Sequence, residues 1–187
     1  MAKPASTSAK PDCRVLTVGH STRPIDDFIA LLKAHQVSVL VDVRTVPRSR
    51  TNPQFNADAL AQSLAAVQIE HVHASGLGGF RRTSPESPNA GWRNLSFRGY
   101  ADYMMTDSFA QDLLGLIELA KGEQLALMCA EAVPWRCHRS LIADALHVHG
   151  ITACEIISPT RLQPHKMTPF ARIVDGELRY PPEAAAP

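Results

Sequence analysis

The chain has 187 residues, 45% of them hydrophobic and 20% charged, which excludes a disordered protein and fits one globular domain with its own core. A formal charge of +1 excludes a global pull toward nucleic acid or membrane, and no apolar run approaches the roughly 20 residues that cross a bilayer. The four cysteines, Cys13, Cys129, Cys137 and Cys154, are few and irregularly spaced for a secreted disulfide framework, and the N-terminal stretch has no apolar signal core. A cytoplasmic protein is expected, with Cys13 and Cys154 as small buried residues.

Residues 1–13 read as a disordered polar tail, 14–181 as a single α/β domain and 182–187 as a flexible tail. Val15–Val18 is a short strand ending in the turn Gly19-His20-Ser21. Residues 24–35 place Ile25, Phe28, Ile29 and Leu32 on one helical face, with Pro24 near the first turn. VSVLVDVR is too apolar to alternate, as expected of a strand buried on both faces, and it ends at Asp42-Val43-Arg44. Asn56 is a plausible N-cap for a helix over Asn56–Ala66.

A short strand near Glu70–Val72 precedes Leu77-Gly78-Gly79, and residues 76–98 form a long arginine-rich loop without a period, the kind that is often a lid or insert. A helical piece is expected over 99–106, a helix over Phe109–Lys121, a buried strand over Glu123–Cys129, a helix over Arg136–His149 and a last core strand over Ile151–Ile157. Asp175-Gly176 lies between two β-like runs and signals a hairpin. Strand–helix alternation predicts a three-layer α/β domain: a mostly parallel sheet of about five strands with helices on both faces. Ligands bind such sheets at the carboxyl ends of the strands. There the turns carry Gly-His-Ser, Asp-x-Arg, Leu-Gly-Gly, Cys-Ala-Glu and Ser-Pro, which brings scattered polar residues to one edge.

Arginines outnumber lysines 14 to 5, and seven lie between Arg44 and Arg98 against Asp58, Glu70 and Glu86 alone. Their planar donor fork suits phosphate and carboxylate, so an anionic ligand is expected. The spacing of Cys129 and Cys137 does not match the close pairs of zinc sites, and no metal site is expected. From Cys129 the nearest arginine is Arg136, one residue beyond the C-x₅-R of cysteine phosphatases, in a loop without glycines. A thiol at the start of a helix beside Arg136 and Arg139 is acidified, so either cysteine is a candidate nucleophile. Glu131, two residues past a buried strand, is costly there unless paired or catalytic. His20 suits hydrogen bonding or proton transfer, and Asp42 and Arg44 alternate along one strand and so share a side. Gly78 and Gly79 permit close backbone approach to a ligand.

TVGHS (17–21), DVRTVPRSR (42–50) with Phe55, Leu-Gly-Gly (77–79), CAE and CHR (129–131 and 137–139) and TPFARIVDGELRYP (168–181) together resemble the family called domain of unknown function 488. The resemblance spans about residues 14 to 181. It implies a Rossmann-like domain whose motifs line one cleft, and no established activity. Val133-Pro134-Trp135 departs from it in being more apolar than the linker expected between the cysteine motifs.

The expected function is an enzyme acting on an anionic, phosphate- or nucleotide-like small molecule. His20, Glu131, Cys129 and Cys137 are the candidate catalytic residues. Ser21, Asp42, Arg44, Ser49, Arg50, Gly78, Gly79, His138 and Arg139 are the candidate ligand contacts, Arg44, Arg50 and Arg139 holding the anion. No cofactor is indicated. The alternatives are a nucleic-acid or nucleotide-binding module, and a structural or interaction protein.

Overall fold

β-branched and leucine-rich runs form the sheet at the centre of the computed structural model, which describes residues 13–182. Its strands are β1 (Val15–Gly19), β2 (Val39–Asp42), β3 (Glu70–His73), β4 (Leu125–Cys129), β5 (Ala153–Ser158) and β6 (Arg161–Pro164). They lie in the order β3-β2-β4-β1-β5-β6, the first five parallel and β6 antiparallel at the edge. Every residue of β1, β2 and β4 is buried, as strands covered on both faces require.

The period of two along each strand divides the core. Leu16, Val18, Leu40 and Met128 face α1 (Ile25–Ala34) and α2 (Ala57–Ala65), which supply Phe28, Leu32, Leu60 and Leu64. Val15, Val41 and Leu127 face α3 (Leu95–Tyr103), α4 (Asp107–Leu119) and α5 (Arg139–Val148), which supply Tyr100, Phe109, Leu113 and Leu141. The result is the three-layer α/β domain expected. A small hairpin follows, β7 (Arg172–Val174) and β8 (Glu177–Arg179). At its tip Asp175 and Gly176 both take positive φ, 54° and 83°, the conformation for which Asp-Gly is suited.

Four features differ from the sequence expectations. β6 is a sixth strand inside the proline-rich segment; its proline is tolerated because the strand sits on an edge. Cys13 and Cys154 are not separate buried thiols but a disulfide, with Cα atoms 5.5 Å apart. The ladder that sets Val15 opposite Ala153 brings the residue before β1 against β5, a proximity that 141 residues of separation conceal. α3 starts four residues before the helical piece expected at 99, because Asn94 caps it, accepting from the Ser96 and Phe97 amides. Asn56 does precede α2, yet its side chain accepts from the Ser49 amide (2.7 Å) rather than capping the helix.

The 76–98 segment is tied down from α3. The Asp102 carboxylate accepts from Thr83 Oγ1, the Ser84 amide, Ser87 Oγ and Asn89 Nδ2, at 2.5–3.1 Å. Burial opposes the charge on Asp102, but these donors outweigh it and hold its pKa below the usual carboxylate range. Arg81 donates to the Gly78 and Gly76 carbonyls and lies 3.5 Å over the Tyr103 ring, while Arg98 donates to the Trp92 carbonyl. Two of the loop arginines are therefore staples, whereas Arg82 and Arg93 are exposed. The polar tails expected over 1–13 and 182–187 lie, apart from Cys13 and Pro182, outside the described residues. Among the described residues no helix is long and apolar enough to cross a membrane.

Candidate functional site

A cleft of about 890 Å³ opens at the carboxyl ends of β1, β2 and β4, where the strand order brings β4 between two earlier strands. The turn after β1 is stitched to the turn after β4 by hydrogen bonds from the His20 and Ser21 amides to the Cys129 and Ala130 carbonyls (2.9 and 3.0 Å). Gly19 is required here: a Cβ on it would collide with the Glu131 backbone. Of the residues singled out by sequence, His20, Ser21, Arg44, Ser49, Gly79, Cys129, Glu131, Cys137 and His138 line the cleft. Asp42, Arg50, Gly78 and Arg139 do not. Thr45, Arg48, Phe80 and Arg136 line it as well and were not anticipated as site residues. For Arg136 the signal was present in its position seven residues after Cys129.

Arg139 is fully buried and is absent from the cleft lining; it faces a second pocket together with Thr17 and Glu155. Its Nε and Nη2 donate to Glu155 (3.4 and 2.9 Å), its Nη1 to Cys129 Sγ (2.7 Å) and to the Glu131 carbonyl (2.6 Å), and its Nη2 to the Ala132 carbonyl (3.2 Å). Thr17 Oγ1 also donates to Glu155. Burial raises the Glu155 pKa despite the guanidinium beside it. The residue expected to hold a ligand thus holds a strand end, a thiol and a turn.

The same guanidinium separates the two free thiols. Burial opposes ionisation of Cys129, but a hydrogen bond from Cys137 and the Arg139 charge outweigh it and hold the thiol below its ordinary pKa. Cys137, which donates that hydrogen bond and is itself buried, is pushed well above. Of the two thiols, Cys129 is therefore the more readily ionised.

Asp42 and Arg44 do share a side. Nε and Nη2 of Arg44 form a fork onto the Asp42 carboxylate (2.8 and 2.6 Å), Nη2 also donates to the Phe55 carbonyl (2.7 Å), and Nη1 lies 3.3 Å from His20 Nε2. Burial opposes the charge on Asp42, and the Arg44 bonds overcome this to lower its pKa. His20 Nδ1 is 2.8 Å from the Ser21 carbonyl, which can only accept, so Nδ1 carries the proton and Nε2 accepts from Arg44. His138 is arranged likewise: Nε2 donates to the Val43 carbonyl (3.0 Å), and Nδ1 faces Cys137 Sγ at 3.7 Å. Gly79 packs against that ring; a Cβ would come within 2.5 Å of Nδ1. Glu131, expected to be paired or catalytic, has an exposed side chain on the cleft wall; its backbone carbonyl makes the internal contacts.

Desolvation is the largest cause that lowers His20 and His138 from 6.5 to about 4, with Arg44 adding to it at His20 and Arg139 at His138. Both rings are neutral at physiological pH. In the unfolded chain they take up protons below about pH 6.5, while the folded protein resists until about pH 4, so stability falls as pH drops through that window. Lowering pH from about 7 to about 5.5 is expected to cost about 1 to 2 kcal/mol per histidine. Urea unfolding midpoints at the two pH values check this, and the loss should halve in His138→Gln; equal midpoints in the native sequence would contradict it.

A family model described as Domain of unknown function DUF488 matches residues 24–146, which include the turns after β2 and β4 and the two cysteine motifs. The chain belongs to this family. No curated protein and no solved structure matches it. Within DUF488 this chain therefore has its α/β fold and its strand-end cleft as the guides to chemistry. The matched span holds Arg44, Cys129, Cys137 and Arg139; His20, on the turn after β1, lies just outside it.

Proposed function

We propose that this protein is an enzyme using the Cys129 thiolate as nucleophile toward an anionic, phosphate- or nucleotide-like small molecule bound in the cleft. The observation that carries this reading is the 2.7 Å contact from Arg139 Nη1 to Cys129 Sγ at the floor of a cleft built from three strand ends. Arg48 and Arg136 are exposed on the wall and supply positive charge for the anion, as does the Nη1 of Arg44 left beside His20. Phe80, 80% exposed, and Val46 offer an apolar rim for an organic substituent. His20 is occupied at both nitrogens and His138 donates Nε2 to the Val43 carbonyl, and both neutral rings act as positioning residues.

For a phosphate monoester, Cys129 Sγ attacks phosphorus, and the S–P bond forms as the P–O bond to the alcohol breaks. The leaving oxygen takes a proton from the Glu131 carboxyl group. Water then attacks phosphorus and returns a proton to Glu131, the S–P bond breaks, and orthophosphate and the thiolate are released. Acid quenching during turnover of aryl and nucleoside phosphates, followed by peptide mass analysis, tests the scheme. A phosphoryl group is expected on the Cys129 peptide of the native sequence and on no peptide of Cys129→Ser. Undiminished turnover in Cys129→Ser, or no turnover of any such ester, would rule it out.

A second reading rests on Arg48, Arg50, Arg82 and Arg93, exposed and without a carboxylate partner among the described residues. Under it the surface binds single-stranded nucleic acid without turnover. Oligonucleotide affinity falling steeply with salt and unchanged in Cys129→Ser would favour this module over the enzyme.

A further inference from the structure

The fold has a second cavity, of about 380 Å³, within the size range of small-molecule sites. Among the described residues it shares no lining with the strand-end cleft. The turn between β4 and α5 divides the two: Val133 and Arg136 line the cleft, whereas Pro134 and Trp135 line the second cavity. Its buried charges are already matched, because Arg139 and Glu155 bond to each other and Thr17 donates to Glu155.

One lining side chain has only half of its ring engaged. Asp144, wholly buried on α5, accepts from the Thr168 amide (3.0 Å), the Tyr180 hydroxyl (2.9 Å) and His165 Nε2 (2.6 Å). A carboxylate can only accept, so Nε2 carries the proton and Nδ1 of the neutral ring presents a lone pair. The His165 amide donates to the Ala153 carbonyl (2.8 Å), which fixes the backbone that carries the ring. Among the described residues Nδ1 has no hydrogen-bond partner, and it is not sealed from solvent, the side chain being 16% exposed. Fastening the C-terminal segment to α5 accounts for Nε2. It leaves Nδ1 as a free acceptor on a residue that lines the cavity.

The other walls are aromatic. Trp92 meets Phe170 edge to face, with ring centroids 4.9 Å apart, and Phe97 stacks on it at 4.8 Å, so its place is fixed. Trp135 is the opposite case, 71% exposed and in contact with no other ring among the described residues. An uncommitted indole face and a directed acceptor on one cavity suit a flat heterocycle with an N–H on its edge.

We infer that this cavity is a nucleobase site, in which Trp135 stacks on the heterocycle and His165 Nδ1 accepts from an N–H on its edge. The site goes beyond the thiol-enzyme reading and does not rest on it.

Both tryptophans of the chain line the cavity, so their fluorescence reports on it directly. The probe is adenosine, which is uncharged, so that neither the exposed Lys166 on the lining nor the cleft arginines draw it by charge. Adenosine titrated into the full chain should quench saturably, and purine riboside, which lacks the 6-amino group, should bind about tenfold more weakly. Trp135→Ala should weaken adenosine binding about tenfold, with Trp92 as the remaining reporter. His165→Phe should bind the two nucleosides equally. Should that variant fail to fold without its bond to Asp144, ¹⁵N NMR of the native sequence decides: adenosine should shift the His165 Nδ1 resonance and purine riboside should not. An oligoadenylate that binds more tightly than adenosine, by a margin that salt removes, would assign the base to a nucleic-acid strand; equal affinity would assign it to a free nucleoside. Absence of saturable quenching, equal binding of the two nucleosides by the native sequence, or displacement of adenosine by inorganic phosphate would overturn the site.

Discussion

Replacing Arg139 by Met is expected to destabilise the protein by about 3 to 5 kcal/mol, because it leaves a buried carboxylate without its partner. Arg139 is wholly inaccessible, and Glu155 beside it is 7% exposed. The guanidinium also satisfies the Glu131 and Ala132 carbonyls, at 2.6 and 3.2 Å. Methionine fills much of the volume but supplies none of these donors. Adding Glu155→Gln to Arg139→Met should recover part of the loss, because the uncompensated charge is then gone while the orphaned carbonyls remain. Arg139→Lys keeps the charge near Cys129 but not the fork, and should fall between the two. Urea denaturation of the three variants checks the order; a loss under about 1 kcal/mol in Arg139→Met would show that the interior does not depend on this ion pair.

Asp42→Asn should cost about 3 kcal/mol and disturb the cleft as well as the core. The carboxylate accepts from Arg44 Nε, Nη2 and backbone amide, and its other neighbour is His71, 3.7 Å away. Asparagine presents one acceptor and one donor group to a guanidinium that can only donate, so one arm of the fork is lost. Arg44, freed from Asp42, also loses its alignment with His20 Nε2. Anion affinity in the cleft should therefore fall in the same variant, whereas Asp42→Glu retains part of the charge pairing. Calorimetric unfolding together with phosphate titration separates the two effects, and an unchanged melting temperature in Asp42→Asn would contradict the assignment.

The parts of the fold readable in sequence were those where burial leaves a pattern. β1, β2, β4 and β5 are near-continuous apolar runs, and the sheet rule sends their terminal turns to one edge. That sufficed to bring His20, Arg44, Gly79, Glu131 and Cys137 to one cleft wall. The fifth turn, Ser158-Pro159, lies apart from it, because β5 sits on the far side of β1. β6 escaped notice because Arg161-Leu162-Gln163-Pro164 has a single apolar side chain and owes its pairing to β5. The disulfide depends on sheet order, which local pattern does not specify. Arg139, a ligand contact by its sequence position, is directed away from the cleft by its place at the start of α5. A side chain at a helix start leans back toward the N-terminal turn, here onto the Glu131 and Ala132 carbonyls and Glu155. Glu131 follows the buried strand by two residues, where its backbone turns inward and its side chain outward. Arg136 stands one residue past the familiar spacing, and only the folded turn shows that it shares a wall with Cys129.

In the proposed thiol enzyme, Arg139 makes Cys129, and not Cys137, the thiolate of the pair. The pH dependence of iodoacetamide alkylation at each of the two cysteines tests it most directly, read peptide by peptide in the native sequence and in Arg139→Lys. Cys129 should react first, with an apparent pKa below the ordinary thiol value of about 8.5, and Cys137 should stay unreactive until much higher pH. A Cys129 profile at or above the ordinary value, or faster alkylation of Cys137, would contradict it.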